Sequence, residues 1–258
     1  MGFEITNHRL GNTKMKRIIN KDLRRKIIEK GFKHKHGHYG SSMSCVDTVA
    51  YLHRKVMKEN DIFIMSKGHG APALHVVSEE MGKKPRWTIH LELDEKSGVM
   101  ATGGSLGNGL SIALGRAYAK KLRGDDGKVY CLSGDGEMQE GMIWESLNIA
   151  RRLKVDNLVV LVDWNKYQAI DSLEEVMGEG YQMLYDKLKA FGYNVTKING
   201  HNNKSLEKLN HLGKGLQAVI LDTIKGYGIP FLERNPTHHV LYMHEKPEVM
   251  KEALEHLK

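Results

Sequence analysis

Val129-Tyr130-Cys131-Leu132-Ser133-Gly134-Asp135-Gly136-Glu137-Met138-Gln139-Glu140-Gly141 opens a stretch that closes on Leu158-Val159-Val160-Leu161-Val162-Asp163-Trp164-Asn165-Lys166-Tyr167-Gln168. A short apolar run (Val129 to Leu132) leads into Gly134-Asp135-Gly136. A helical pattern follows at Ile143, Leu147 and Ala150, and then a second apolar run from Leu158 to Val162. Strand, helix and strand in that order and length make a crossover unit whose two strands must lie parallel. Asp135 follows the first strand and Asn165 the second, so both side chains emerge at the same carboxyl edge and can reach one ion. Open parallel sheets bind ligands beyond that edge.

Two oxygen donors, with glycines that let backbone come close, suit a hard cation carrying a diphosphate. Gly-Asp-Gly alone is a common turn. With an asparagine about thirty residues on, at the edge of the partner strand, the pattern resembles the thiamine diphosphate and magnesium site of thiamine-dependent enzymes.

Working outward, Asn20 to Phe32 reads as a basic amphipathic helix with Leu23, Ile27 and Ile28 inward and a stop at Gly31. Lys33 to Ser42 is a glycine-flanked loop with His34, His36 and His38 at alternate positions; no carboxylate or cysteine completes a metal set. Ser44 and Asp47 match a capping box, and Val46 to Met57 continue a helical stripe. Ile62 to Met65 is a strand running into Ser66-Lys67-Gly68-His69-Gly70. Between Ser78 and Glu95 the pattern implies a helix and then a loop carrying His90. Ala101 to Gly109 is a glycine-rich turn opening a helix with Leu110, Ala113, Leu114 and Ala117. Its glycine order is not the dinucleotide fingerprint.

Further on, Leu184, Leu188 and Phe191 mark a helix, Asn194 to Ile198 a strand, and Leu206, Leu209 and Leu212 a helix. Ala218 to Leu221 is a last strand, Asn235 to His239 a histidine-bearing loop, and Lys246 to Lys258 a terminal helix. Strand and helix alternate throughout, which indicates an α/β, doubly wound, mostly parallel sheet in a single domain, residues 1–258.

A chain of 258 residues can bury a substantial core, and 40% hydrophobic with 27% charged residues is ordinary for a globular protein. The aliphatic runs are too short to span a membrane, and no charged-then-apolar leader opens the sequence, so the expected location is the cytoplasm. Cys45 and Cys131 are expected to be buried thiols. Net charge is +8, with a basic cluster between Lys14 and Lys35. No aromatic interleaving or nucleic-acid module accompanies it, so a solvated helix face is expected.

Taken together the segments resemble the N-terminal, diphosphate-binding half of transketolase over nearly the whole chain. Gly37-His38-Tyr39-Gly40 resembles the family's Gly-His-x-Gly, Ser66 to His69 its Ser-Lys-Gly-His, and Thr102 to Gly109 its Thr-Gly-(Pro/Ser)-Leu-Gly-x-Gly. Gly134 to Gly141 resembles Gly-Asp-Gly-x-x-Gln-Glu-Gly, Asp163 to Gln168 resembles Asp-x-Asn-x-x-Gln, and Asn235 to His239 resembles the late Asn-Pro-x-Trp-His segment. Two departures stand near the substrate entrance: a short segment from Met57 to His90, and histidine at position 238 where the family has tryptophan.

The resemblance implies that Asp135, the Asn165 side chain and the Tyr167 carbonyl hold Mg2+ or another divalent cation. His69, Gly136 and His239 would then contact the diphosphate of thiamine diphosphate, with Gly104, Ser105 and Leu106 lining its rings. His38, His90 and His239 would face a sugar or sugar phosphate. Glu140 corresponds to a buried acid at the subunit contact that supports the catalytic glutamate across it. That glutamate belongs to a second α/β domain, which would begin where this sequence ends. The resemblance therefore implies a split transketolase moving a two-carbon ketol unit from ketose to aldose, with a separate C-terminal subunit in a dimer of heterodimers. The alternatives are another thiamine diphosphate enzyme (a pyruvate-aldehyde synthase, a keto-acid decarboxylase component or a pathway-specific sugar ketol transfer) or a non-catalytic regulatory subunit of the same fold.

Overall fold

The computed structural model describes residues 18–178 and 180–258. In chain order the elements are α1 (Lys21–Lys33), α2 (Tyr39–Tyr51), β1 (Ile62–Met65), α3 (Ala71–Glu80), α4 (Asn108–Leu122), β2 (Val129–Gly134) and α5 (Gly141–Arg152). They continue with β3 (Leu158–Trp164), α6 (Leu173–Met177), α7 (Tyr181–Ala190), β4 (Asn194–Asn199), α8 (Asn203–Leu206), β5 (Gln217–Asp222), α9 (Pro230–Arg234) and α10 (Pro247–Glu255). The five strands form one sheet in the order β1-β2-β3-β5-β4, every pair parallel.

Side chains alternate across each strand, so a sheet covered on both faces needs apolar residues at nearly every position. Tyr130 and Leu132 of β2 enter a core shared with α1, α2, α3, α8 and α10. Val129 and Cys131 enter the opposite core, shared with α4, α5 and α7. Both cysteines are buried free thiols. The forward connections to β2, β3 and β4 carry α4, α5 and α7 on one face. The single backward step, β4 to β5, carries α8 on the other, as right-handed crossovers require.

That winding opens a crevice. After β2 and β3 the chain leaves toward the α5–α7 face, while after β1 and β5 it leaves toward α3 and α9 on the other. Along the carboxyl edge the loops therefore part, with Asp135 and Asn165 on one side and His69 and Lys225 on the other.

Several boundaries differ from the sequence reading. Helix α1 runs through Gly31 to Lys33; Gly31 is there because a Cβ would stand 2.6 Å from the Tyr39 ring. Ser44 and Asp47 lie inside α2 and cap nothing. The helix expected from Ser78 is α3, which begins earlier at Ala71 with Pro72 in its first turn. Positions 39–50 of α2 and 71–78 of α3 are buried on every side, so neither shows the one-sided stripe that reveals a surface helix. The basic face of α1 is only partly solvated: Arg24 is fully buried against Asp47, at 2.7 Å. Lys14, Lys16 and Arg17 of that cluster lie outside the described residues.

Candidate active site

Asp135 is the first residue beyond β2, and the register that pairs Gly134 with Asp163 places it beside the end of β3. Its Oδ2 accepts the Lys166 N–H at 2.5 Å, its Oδ1 accepts the Gly136 N–H at 2.9 Å, and its own N–H donates to the Asp163 carbonyl at 3.2 Å. Asn165 Oδ1 accepts the Tyr167 N–H at 3.2 Å, while its Nδ2 donates to Asp163 Oδ2 at 3.3 Å. The two strand ends thus share one hydrogen-bonded turn, and Asp135, Asn165 and Tyr167 line the same cleft of about 390 Å3.

Charge in this cleft is unevenly matched. Asp163 is wholly buried and held by Lys67, by Ser44 Oγ at 2.6 Å and by Thr223 Oγ1 at 2.6 Å. Burial alone would raise its carboxyl, but Lys67 and these donors outweigh burial and keep it below the usual range. Asp135 has no side-chain cation paired with it among the described residues. Burial, and then the Asp163 charge, push its carboxyl up to about 7. A divalent cation would relieve this cost, and the lone pairs left on Asp135 and Asn165 are hard donors suited to one. Lys225, buried and lining the cleft, donates to the Gln168 carbonyl at 3.3 Å. Burial lowers it to about 8 despite the neighbouring Asp135. A phosphate would offset that penalty, so the cleft offers complementary positions for a cation and for the anion it carries.

The opposite wall is made of imidazoles. The His38 ring lies 5.0 Å from that of His239, 5.7 Å from His90 and 6.1 Å from His69, and His69 is 5.9 Å from His239. His34 and His36 turn away: His34 stacks on Trp87 at 5.4 Å, and His36 sits behind His38. No group of three His, Cys, Asp or Glu suited to a metal occurs among the described residues. His38 Nδ1 and Gln139 Nε2, both on cleft residues, are buried without a partner, and unsatisfied polar atoms of this kind point to a polar ligand.

Buried histidines on and behind this wall make stability pH-dependent. Burial holds His36, His38 and His75 at about 4, 3 and 4, whereas the unfolded chain takes up their protons near pH 6.5. Below about pH 6.5 the unfolded state binds more protons, so stability is lost as pH falls. Asp135 acts in the opposite sense, since its raised value lets the folded chain take its proton first. Between pH 6.5 and 5.5 each of these three histidines loses about 1 kcal/mol and Asp135 returns about 1, a loss of roughly 2 kcal/mol, to which His69, also held well below its ordinary value by burial, adds in the same direction. Melting of the ligand-free chain should drop by about 4–8 °C over that unit. A level or rising melting temperature would contradict neutral burial of these rings.

The glycine-rich turn completes the cleft. A Cβ on Gly136 would meet Gln168 at 2.8 Å, and one on Gly68 would meet the Gly104 backbone at 2.7 Å, so both glycines answer to close backbone approach. Gly104 and Leu106 line the cleft, whereas Ser105 is exposed and does not. Glu140 lies on the cleft wall, exposed in the single chain; the buried acid of this turn is Glu137, at 2% exposure. Sequence reasoning passed over Glu137 and Lys225. Lys225 sits in a glycine-flanked loop after a strand, the same signal that singled out Asp135.

Residues 15–251 match the family described as "Transketolase, thiamine diphosphate binding domain". An apulose-4-phosphate transketolase subunit from Phocaeicola vulgatus is 32% identical over 235 residues, covering 81% of this chain and 83% of that protein. A 6-deoxy-6-sulfo-D-fructose transketolase subunit from a Clostridium species is 32% identical over 246 residues, covering 86% and 88%. Among solved structures, transketolase from Leishmania mexicana superposes with a TM-score of 0.76 at 23% identity, covering 92% of this chain. The chain spans 40% of the length of that enzyme. Transketolase from Campylobacter jejuni gives a TM-score of 0.73 at 26% identity, covering 92% of this chain and 42% of that one.

Proposed function

Because this chain belongs to the transketolase family, through its thiamine diphosphate-binding domain, we propose that it is the N-terminal subunit of a split transketolase that moves a two-carbon ketol unit from a ketose to an aldose. The observation that carries the reading is the pairing of Asp135, buried and with no salt-bridge partner among the described residues, with Asn165 at the strand edge of a cleft walled by His38, His69, His90 and His239. When bound, thiamine diphosphate supplies a thiazolium carbon able to carry the negative charge left when a ketose carbon–carbon bond breaks. Asp135, Asn165 and the Tyr167 carbonyl would hold Mg2+; His69, Gly136, His239 and the Lys225 ammonium would hold the diphosphate; Gly104 and Leu106, which line the cleft as Ser105 does not, would cover the rings.

The imidazoles suit the sugar. A neutral imidazole donates at one nitrogen and accepts at the other, so His38, His90 and His239 can each hold a hydroxyl and pass its proton on. Three such groups fit a polyhydroxylated chain better than pyruvate, which favours ketol transfer over keto-acid chemistry. The acceptor and donor belong to the class of sugars and sugar phosphates.

The remainder of the site comes from a C-terminal subunit carrying the catalytic glutamate, met across Glu140 in a dimer of heterodimers. The names of two relatives support this: both are called transketolase subunits, and each matches this chain over more than four fifths of its own length. Among the described residues no helix is long and apolar enough to cross a membrane, and the reading places the enzyme in the cytoplasm.

The test is ketol transfer from a ketose donor, with pyruvate as the rival donor, for this chain with and without its C-terminal subunit. Transfer should need both subunits and the ketose; turnover by this chain alone, or preference for pyruvate, would overturn the reading. His38→Ala should lower kcat/KM on the order of 100-fold, the range of a lost proton-handling group, while cofactor affinity is kept. Equal losses in both would argue against its role at the sugar.

A further inference from the structure

Glu137 is the buried acid for which the site above has no role. Its Oε1 accepts from Ser66 Oγ at 2.5 Å and from the Gly107 N–H at 2.8 Å, and its Oε2 accepts from the Gly134 N–H at 3.0 Å. The three donors stand on three different segments. Ser66 begins the loop that carries Lys67 and His69 after β1. Gly107 ends the turn Gly104–Leu106 and precedes α4 in a left-handed conformation, φ +86°. Gly134 is the last residue of β2, immediately before Asp135.

The spacing between these segments is tight. A Cβ on Gly109 would stand 2.4 Å from Ser66 Oγ, and one on Gly107 would stand 3.2 Å from the Glu140 Cβ. At its other end the turn is tied by the Gly103 N–H to the Leu91 carbonyl at 2.9 Å. One end of the turn thus rests on backbone, and the other on a single carboxylate.

We infer that Glu137 is a positioning residue: an acceptor-only clasp that sets the Gly104–Leu106 turn against the His69 loop and Asp135, and so tunes how tightly the cofactor is held. This rests on the thiamine diphosphate reading above. The chemistry requires an acid. Three donors converge on two oxygens, and two of them are backbone N–H groups that cannot reverse. Glutamine has the same shape, but one end of its amide is a donor. Whichever way that amide turns, its NH2 faces either Gly107 N–H or Gly134 N–H. Only the Ser66 hydroxyl can adapt by rotating.

The experiment uses Glu137→Gln in the chain, alone and assembled with its C-terminal subunit. In the ligand-free chain, amide hydrogen exchange over residues 103–110 should quicken while β4 and α7 keep their protection. In the assembled enzyme the thiamine diphosphate concentration for half-maximal rate should rise about tenfold, as expected for losing a hydrogen bond to a charged acceptor. At saturating cofactor, kcat should stay within about threefold of the original, because no group touching substrate has changed.

Quickened exchange with unchanged half-saturation would reduce Glu137 to a fold contact and overturn the inference. So would protection lost evenly across the chain. If Glu137→Gln does not fold, Ser66→Ala decides: it removes one donor and keeps the acid, and should raise half-saturation with kcat preserved. No change in Ser66→Ala would then overturn the clasp. Should the original assembled enzyme transfer no ketol unit at all, the functional reading fails instead, and the exchange pattern still reports the clasp separately.

Discussion

Asp135→Asn in the chain assembled with its C-terminal subunit is expected to lower ketol transfer by more than about 100-fold, since even groups that only orient a metal ligand are worth roughly 10–100-fold. The substitution keeps the shape and removes the charge. It also turns one oxygen into an NH2 that must face the N–H of Lys166 or of Gly136, both of which now donate to the carboxylate. In the ligand-free chain the cost of that donor meeting a donor is offset in part by relief of the buried carboxylate, whose pKa is pushed up to about 7, so the loss of stability should be modest. Activity and stability are therefore expected to separate. Assay of turnover beside thermal melting checks this; retention of a tenth or more of the activity would contradict the assignment.

Lys67→Met is expected to destabilise the chain by about 3–5 kcal/mol, the cost of leaving a buried carboxylate without its counter-ion. Lys67 and Asp163 are both wholly buried and paired to each other. Burial alone would lower the lysine, yet the Asp163 charge outweighs it and holds the ammonium above its ordinary range. Methionine fills the space and supplies no charge, while Ser44, Thr223 and Asn165 remain as neutral donors. Urea unfolding at pH 7.5 gives the difference directly. Lys67→Met with Asp163→Leu should recover much of the loss, since an unpaired charge rather than lost packing is responsible. A loss below about 1 kcal/mol for the single variant would be the size of an exposed ion pair and would contradict the burial of this one.

The central crossover could be read from the sequence because β2 and β3 are short, aliphatic and bounded by glycine or turn residues, and because a residue one step past each strand must lie at the carboxyl edge. A looser signal, a glycine-bearing loop just after a strand, located His69, and its consistent use would have reached Lys225. Longer-range pairing was not legible. Asp47 resembles a cap three residues from Ser44, but its side chain accepts from Asn20, Arg24 and His201, the last 154 residues away. Lys67 and Asp163 each stand in a recognisable motif, yet nothing local announces that they neutralise one another across 96 residues. Helices α2 and α3 were misplaced at their ends because full burial removes the amphipathic stripe. Glu137 escaped notice because Glu140, three residues on, carries the family resemblance, and only the fold distinguishes which of the two is interior.

The pairing of Asp135 with Asn165 around a divalent cation is tested most directly by melting the assembled enzyme with thiamine diphosphate, with and without Mg2+, in the original and Asp135→Asn forms. The original should be stabilised by cofactor and Mg2+ together and hardly by cofactor alone, and Asp135→Asn should show no added effect of Mg2+. Equal stabilisation by cofactor without Mg2+, or a Mg2+ effect that survives in Asp135→Asn, would contradict it.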